Sequence, residues 1–172
     1  MHHTLIAGMG NVIMGDDAIG PTVVAHLAAR FAFAQGVKLQ DLGTPGMDLA
    51  LHLAGVRTAV LVDALVDSRV PPGTIRVLGR EELLAGPAAG LDPHAPDLRE
   101  ALLLASHYGD APENVCLIGV VVEDCSLSDG FTEKVRDALP ALVDAVTAEL
   151  RRLGIAYEER IPPEVPDLWW KR

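Results

Sequence analysis

The chain has 172 residues, 49% apolar, 22% charged and only 4% aromatic, so it fits one globular domain with a core of Val, Leu, Ile and Ala. Its 14 Lys and Arg against 24 Asp and Glu leave a net charge of −10 with no basic cluster, which argues against nucleic acid and permits a basic or metal-bearing partner. No run reaches the roughly 18 apolar residues that span a bilayer, no leader pattern precedes the first strand, and Cys116 and Cys125 read as reduced thiols, so the expectation is a cytoplasmic protein off the membrane.

Residues 4–7 form a short apolar strand, followed by the glycine-rich turn Gly8-Met-Gly-Asn-Val-Ile-Met-Gly15 and two adjacent acids, Asp16 and Asp17. Ile19, Val23, Val24, Leu27, Ala28 and Phe31 then recur at helical spacing, with Pro21 in the first turn where its missing N–H is harmless. Residues 37–42 read as a second strand closed by Gly43-Thr-Pro-Gly46, and residues 47–53 as a short helix. Residues 58–63 are almost wholly apolar up to Asp63, the signature of a strand buried on both faces of a parallel sheet. A Pro-Pro-Gly turn at 71–73 leads to an edge strand at 74–78. Residues 85–97 are a Gly/Pro-rich loop, 97–106 a helix, and 115–122 another buried strand. A long helix closes the pattern, its apolar face running from Phe131 to Leu153 with a kink expected at Pro140.

Strand and helix alternate, which predicts an open, mostly parallel α/β sheet with helices on both faces and right-handed crossovers. Ligands of such sheets bind beyond the carboxyl ends of the strands, where Asp16, Asp17, the turn from Asp41 to Gly46, and Asp63 all fall. One acid at a helix start is ordinary capping; two behind a glycine-rich turn point to a site. Two carboxylates repel phosphate and suit a cation or positive centre. Asp63, at the end of a hydrophobic strand, sits at a cleft lip or is costly to bury. Asp41 precedes Gly-Thr-Pro-Gly and fits an Asx turn as well as a site.

His94, flanked by Pro93 and Pro96, lies in an exposed loop. Folded over the acids, it would complete a two-Asp, one-His site suited to nickel or zinc. His2, His3, His26 and His52 read as ordinary. The chain lacks an H-E-x-x-H helix, a G-x-S-x-G elbow and a G-K-[ST] phosphate loop, and neither cysteine is placed as a nucleophile. The glycine turn loosely matches a dinucleotide fingerprint whose third glycine is displaced, with Asp41 in its favour, so a dinucleotide-binding α/β module is the alternative reading.

The run Ile6-Ala-Gly-Met-Gly-Asn-Val-Ile-Met-Gly-Asp-Asp-Ala-Ile-Gly20 resembles the N-terminal signature of the [NiFe]-hydrogenase maturation endopeptidases. The similarity continues through Asp41-Leu-Gly-Thr-Pro-Gly-Met-Asp48, Leu61-Val-Asp-Ala-Leu65, Pro72-Gly-Thr74, Asp92-Pro-His94 and Leu117-Ile-Gly-Val-Val121, spanning residues 4–154. The resemblance implies a three-layer α/β/α sandwich around a twisted, mostly parallel sheet of about five strands, phosphorylase/hydrolase-like. It makes residues 1–155 a single α/β peptidase domain and leaves the Pro- and Trp-containing tail at 156–172 without a role. That tail reads as an extended arm, either loose or docked on the domain.

The activity implied is removal of a C-terminal extension from the precursor of the hydrogenase large subunit once nickel has been inserted. Nickel, carried by the substrate, is then the recognition signal, and the family's two acidic ligands and one histidine fall on Asp17, Asp63 and His94. No organic cofactor is expected. Asp16, Asp41, Asp17 and Asp63 are the candidates for activating water in an aspartic-type endopeptidase, and Gly10 and the Gly43–Gly46 turn would admit a peptide. The partner is the large-subunit precursor and the expected state a monomer. A nickel-dependent chaperone of the same fold without turnover is the remaining alternative.

Overall fold

The computed structural model describes residues 3–85, 92–93 and 96–172. From the N-terminus, β1 (Thr4–Gly8) enters the glycine turn and a 3₁₀ turn (Gly15–Ala18), then α1 (Ile19–Arg30). The chain continues through β2 (Phe31–Phe33), β3 (Val37–Asp41), α2 (Leu49–Leu53) and β4 (Thr58–Val66), then β5 (Ile75–Gly79), α3 (Arg80–Ala85) and β6 (Asp92–Pro93). It closes with α4 (Pro96–His107), β7 (Asn114–Val121), α5 (Glu133–Arg152) and β8 (Tyr157–Glu159).

The main sheet has the order β3-β1-β4-β7-β5. Its first four strands are parallel, β5 is antiparallel to β7 at the edge, and β6 adds an antiparallel step against Leu65 and Val66. The apolar run of β4 is buried along its length except Val66, as a central strand covered on both faces must be. Alternating residues supply two cores. Leu5, Leu61, Leu65 and Leu117 meet α2, α3 and α4 through Leu49, Leu53, Leu83 and Leu102. Ile6, Val60, Val62 and Ile118 meet α1 and α5 through Ile19, Val23, Leu27, Leu142 and Val146. This is the expected three-layer, mostly parallel α/β/α arrangement.

The chain leaves β1 toward β3 on one side and returns to β4 on the other, so the boundary between β1 and β4 is the topological switch point. Glycine lets α1 start directly on that boundary. A Cβ on Gly20 would overlap the Met9 carbonyl and crowd the Val62 carbonyl. The glycines here serve packing first.

Several local expectations need correction. Phe31 begins β2 rather than ending α1, and β2 pairs antiparallel with β8, a ribbon absent from the sequence reading. Its signal was the aromatic triad: the Phe31 ring lies 4.9 Å from Tyr157 and 6.4 Å from Phe33, all edge-on or tilted. The tail is docked: Arg160 N–H donates to the Arg30 carbonyl and Glu164 N–H to Ala29, at the end of α1. Helix α3 also escaped the sequence reading. Residues 47–53 divide into a 3₁₀ turn (Gly46–Asp48) and α2. Helix α5 runs from Glu133 to Arg152 with Pro140 inside it, on an exposed face where the bond lost to proline can be replaced by water.

Candidate active site

The 3₁₀ turn after β1 and strand β4, which runs on past the expected end at Asp63 to Val66, bring Asp17 and Asp63 into electrostatic contact at the switch point. Asp63 is 4% exposed, and Asp63 Oδ1 accepts the Ala64 N–H at 2.8 Å. Burial pushes its carboxyl up to about 7, against the lowering effect of that hydrogen bond, and the negative charge of Asp17 adds to the rise. Asp17 is half-buried, and its Oδ2 accepts the Asn11 N–H at 2.7 Å, which ties the acid to the glycine turn. A buried carboxyl beside a second carboxylate is poised to ionise when a cation arrives.

Asp16 points elsewhere. It is completely buried, and its two oxygens accept four hydrogen bonds: from the Glu123 and Asp124 amides, and from the amide and hydroxyl of Thr132. Thr132 is the residue that precedes α5, so Asp16 pins the loop at 123–132 and the start of that helix against the glycine turn. That geometry makes Asp16 an anchor of the site wall, not a free base as the sequence reading allowed.

Asp41 is likewise separated from the pair. Gly8 pairs in one row with Asp41 and with Val62, and Val62 belongs to the core beneath α1 and α5. Asp41 therefore faces α1, whereas Asp63, one residue beyond Val62, faces the opposite side with Leu61 and Leu65. Asp41 Oδ1 accepts the Gly43 N–H at 2.8 Å, the Asx turn, and its Oδ2 accepts the Trp169 indole N–H at 3.4 Å. Four acids expected in one cleft thus resolve into a pair, Asp17 with Asp63, and two that hold other segments. His94 lies outside the described residues. Among the described residues no group of three metal-ligating side chains is gathered. At Gly10 φ is +134° and the missing Cβ leaves room for the Asp17 carbonyl, so the packing of the turn already requires glycine there. At Gly43 and Gly46 a Cβ would meet nothing within 4 Å, and that turn is open on the Cβ side.

Two neighbours were not anticipated. Cys125 lies beside the acids, with a backbone hydrogen bond from Asp17. Burial, then the charges of Asp17, Asp16 and Asp124, pushes its thiol up to about 11, which leaves it a protonated, poor nucleophile. Beyond the end of β4, Asp67 accepts two bonds from the Arg69 guanidinium at 2.8 and 2.9 Å and lies 3.4 Å from Arg76. It is covered by these arginines rather than sunk in the core. The Arg69 hydrogen bonds first, then both positive charges, hold its carboxyl at about 2. Arg76 and Asp63 both pair with Gly119, so they share one face of the sheet. No sequence motif links Asp67 to arginines two and nine residues away.

The amides of Met9, Gly10, Asn11, Gly15, Asp16 and Asp17 all donate to protein acceptors. With these amides engaged, the turn lacks the cluster of N–H groups that cradles a pyrophosphate, which argues against the dinucleotide reading. Fold and site together define an α/β protein whose switch-point crevice is acidic where nucleotide binders present amides. The hydrogenase maturation protease family model matches residues 21–149. The chain is 32% identical over 160 residues to the hydrogenase 2 maturation protease of Escherichia coli, covering 93% of this chain and 96% of that one. It is 35% identical over 152 residues to the hydrogenase expression/formation protein HoxM of Cupriavidus necator, covering 86% and 73%. The solved structure of the hydrogenase maturating endopeptidase HybD from E. coli superposes with a TM-score of 0.85 at 30% identity, covering 93% of this chain and 99% of that chain. The protein belongs to the hydrogenase maturation protease family, and is thus a peptidase.

Proposed function

We propose that this protein removes the C-terminal extension of a [NiFe]-hydrogenase large-subunit precursor after nickel insertion, reading the substrate's nickel through Asp17, Asp63 and His94. The observation that carries the reading is the Asp17–Asp63 pair at the switch point, with Asp63 buried and held near 7. Protonated Asp63 spares the pair a second negative charge beside Asp17; a divalent ion on the substrate offsets that repulsion and draws the proton off. A precursor without metal supplies no such compensation and docks poorly. Peptide hydrolysis then needs a base for water, and Asp16 and Asp41, engaged as anchors, leave Asp17 and Asp63 for that role. Once the ion has drawn the proton off, one of these carboxylates can take a proton from water as it adds to the scissile carbonyl and return it to the departing amine. This makes the enzyme aspartic in type, with nickel arriving as part of the substrate.

No described helix is long and apolar enough to cross a membrane, which accords with work in the cytoplasm, where the precursor is made. The test is incubation of nickel-loaded and nickel-free precursor with the protein, read by mass spectrometry. Wild type should shorten only the loaded precursor, while Asp17→Asn, Asp63→Asn and His94→Ala should leave it intact with unchanged circular dichroism. Equal processing of the nickel-free precursor would remove the metal-reading role. Stoichiometric binding without cleavage would leave the chaperone.

A further inference from the structure

Two large aliphatic side chains stand in solvent beside the acidic pair, Ile13, 55% exposed, on the glycine turn that leads to Asp17, and Leu127, 77% exposed, on the 123–132 loop that Asp16 pins to that turn. Their loops are fastened together. Met14 and Ser128 form a parallel bridge, the Ser128 amide donates to the Ile13 carbonyl at 3.1 Å, and the Gly15 amide donates to the Ser128 carbonyl at 3.0 Å. In that register Ile13 and Leu127 are neighbours. The four bonds received by Asp16 brace the same junction from beneath. Both loops also end on Asp17, one through the Asn11 amide and the other through Cys125.

An aliphatic pair on slack loops would fold inward; here the hydrogen bonds prevent it, so the pair stays presented. Asp124 and Asp129 flank Leu127, both exposed, on a chain of net charge −10. An apolar ridge rimmed by carboxylates is complementary to an apolar side chain flanked by basic ones. The acidic pair can recognise a metal ion, yet it carries nothing that distinguishes one metal-loaded protein from another.

We propose that Ile13 and Leu127 form a docking ridge for the hydrogenase precursor, taking an apolar side chain flanked by basic residues next to the segment to be cut. The inference rests on the function proposed above and assigns partner selection to a surface outside the metal-reading pair. Its test is the Ile13→Ser, Leu127→Ser double variant, assayed for cleavage of nickel-loaded precursor and, by surface plasmon resonance, for equilibrium binding of the same precursor. Both side chains are exposed, so the variant should melt as wild type does. KM should rise about tenfold or more with a much smaller fall in kcat, and binding should weaken by a similar factor. Ile13→Val with Leu127→Met should restore both. If wild type cleaves and the double variant keeps its KM, the ridge is overturned and the protease reading stands. If wild type binds without cleaving, the protease reading falls and binding alone judges the ridge: about tenfold loss supports it, equal affinity overturns it. A wild type that neither binds nor cleaves overturns both.

Discussion

Burial of Asp63 makes the stability of this protein fall with pH in a way that one substitution isolates. The carboxyl sits at about 7 in the fold against an ordinary 3.8, so the native state holds a proton that the unfolded chain has released. A group with a raised folded value contributes stability that is whole below the unfolded value and is lost as pH rises through the folded one. The gap corresponds to about 4 kcal/mol at ~1.36 kcal/mol per pH unit, of which roughly 3 kcal/mol falls between about pH 5 and pH 8. Asp63→Asn keeps the shape and the acceptor for the Ala64 amide but cannot ionise. In urea unfolding of metal-free protein, the variant should gain on wild type by roughly 3 kcal/mol as pH rises across that range. Groups that do not interact with Asp63, Asp67 among them, are present in both proteins and cancel in the difference, and the repulsion from Asp17 is part of the effect being measured. Parallel stability curves for the two proteins from about pH 5 to pH 8 would refute the claim that Asp63 is buried as a neutral acid.

Asp16→Ala orphans four donors at a fully buried position, and with water reaching part of the loop it should cost about 3–5 kcal/mol and lower the melting temperature by roughly 10 °C. A drop of only a degree or two by calorimetry would mean the loop at 123–132 is held by something else. Gly20→Ala drives a methyl into the Met9 and Val62 carbonyls and should destabilise by about 3 kcal/mol or more, seen as a shifted urea midpoint; a neutral result would deny the close approach of α1 to β1 and β4. Tyr157→Phe removes a buried hydroxyl that has no hydrogen-bond partner among the described residues while keeping the ring against Phe31, so it should be neutral or stabilising by up to about 1 kcal/mol in thermal melts.

The main fold was legible because its strands carry unambiguous patterns. β1, β4 and β7 are near-continuous apolar runs, and the helices α1 and α5 bear the spacing of a one-sided face. What escaped depends on partners distant in sequence. β2 has three residues and exists through Tyr157, more than 120 positions away, so no local window contains its cause. α3 packs little more than Leu83 and follows β5 without a loop, which leaves no turn signal to mark its start. The acids show the same limit. Sequence placed all four at strand ends, yet strand alternation sends Asp41 and Asp63 to opposite faces, and only the 123–132 loop reveals why Asp16 is an acid.

That division explains why adjacent aspartates are not redundant. At the start of a helix in a doubly wound fold, free amides invite an anion. Here Asp16 binds the opposing loop's amides, while the turn's own amides donate to protein acceptors, Asn11 to the Asp17 carboxylate among them. With most of these donors satisfied internally, the crevice is left with the negative charge of Asp17 and the suppressed charge of Asp63. Exchanging Asp16 and Asp17 in role is impossible without moving α5, because Thr132 gives both its amide and its hydroxyl to Asp16. An acid that locks a loop and an acid that faces the crevice can therefore be consecutive residues, since a 3₁₀ turn rotates about 120° per residue and directs neighbouring side chains to different walls.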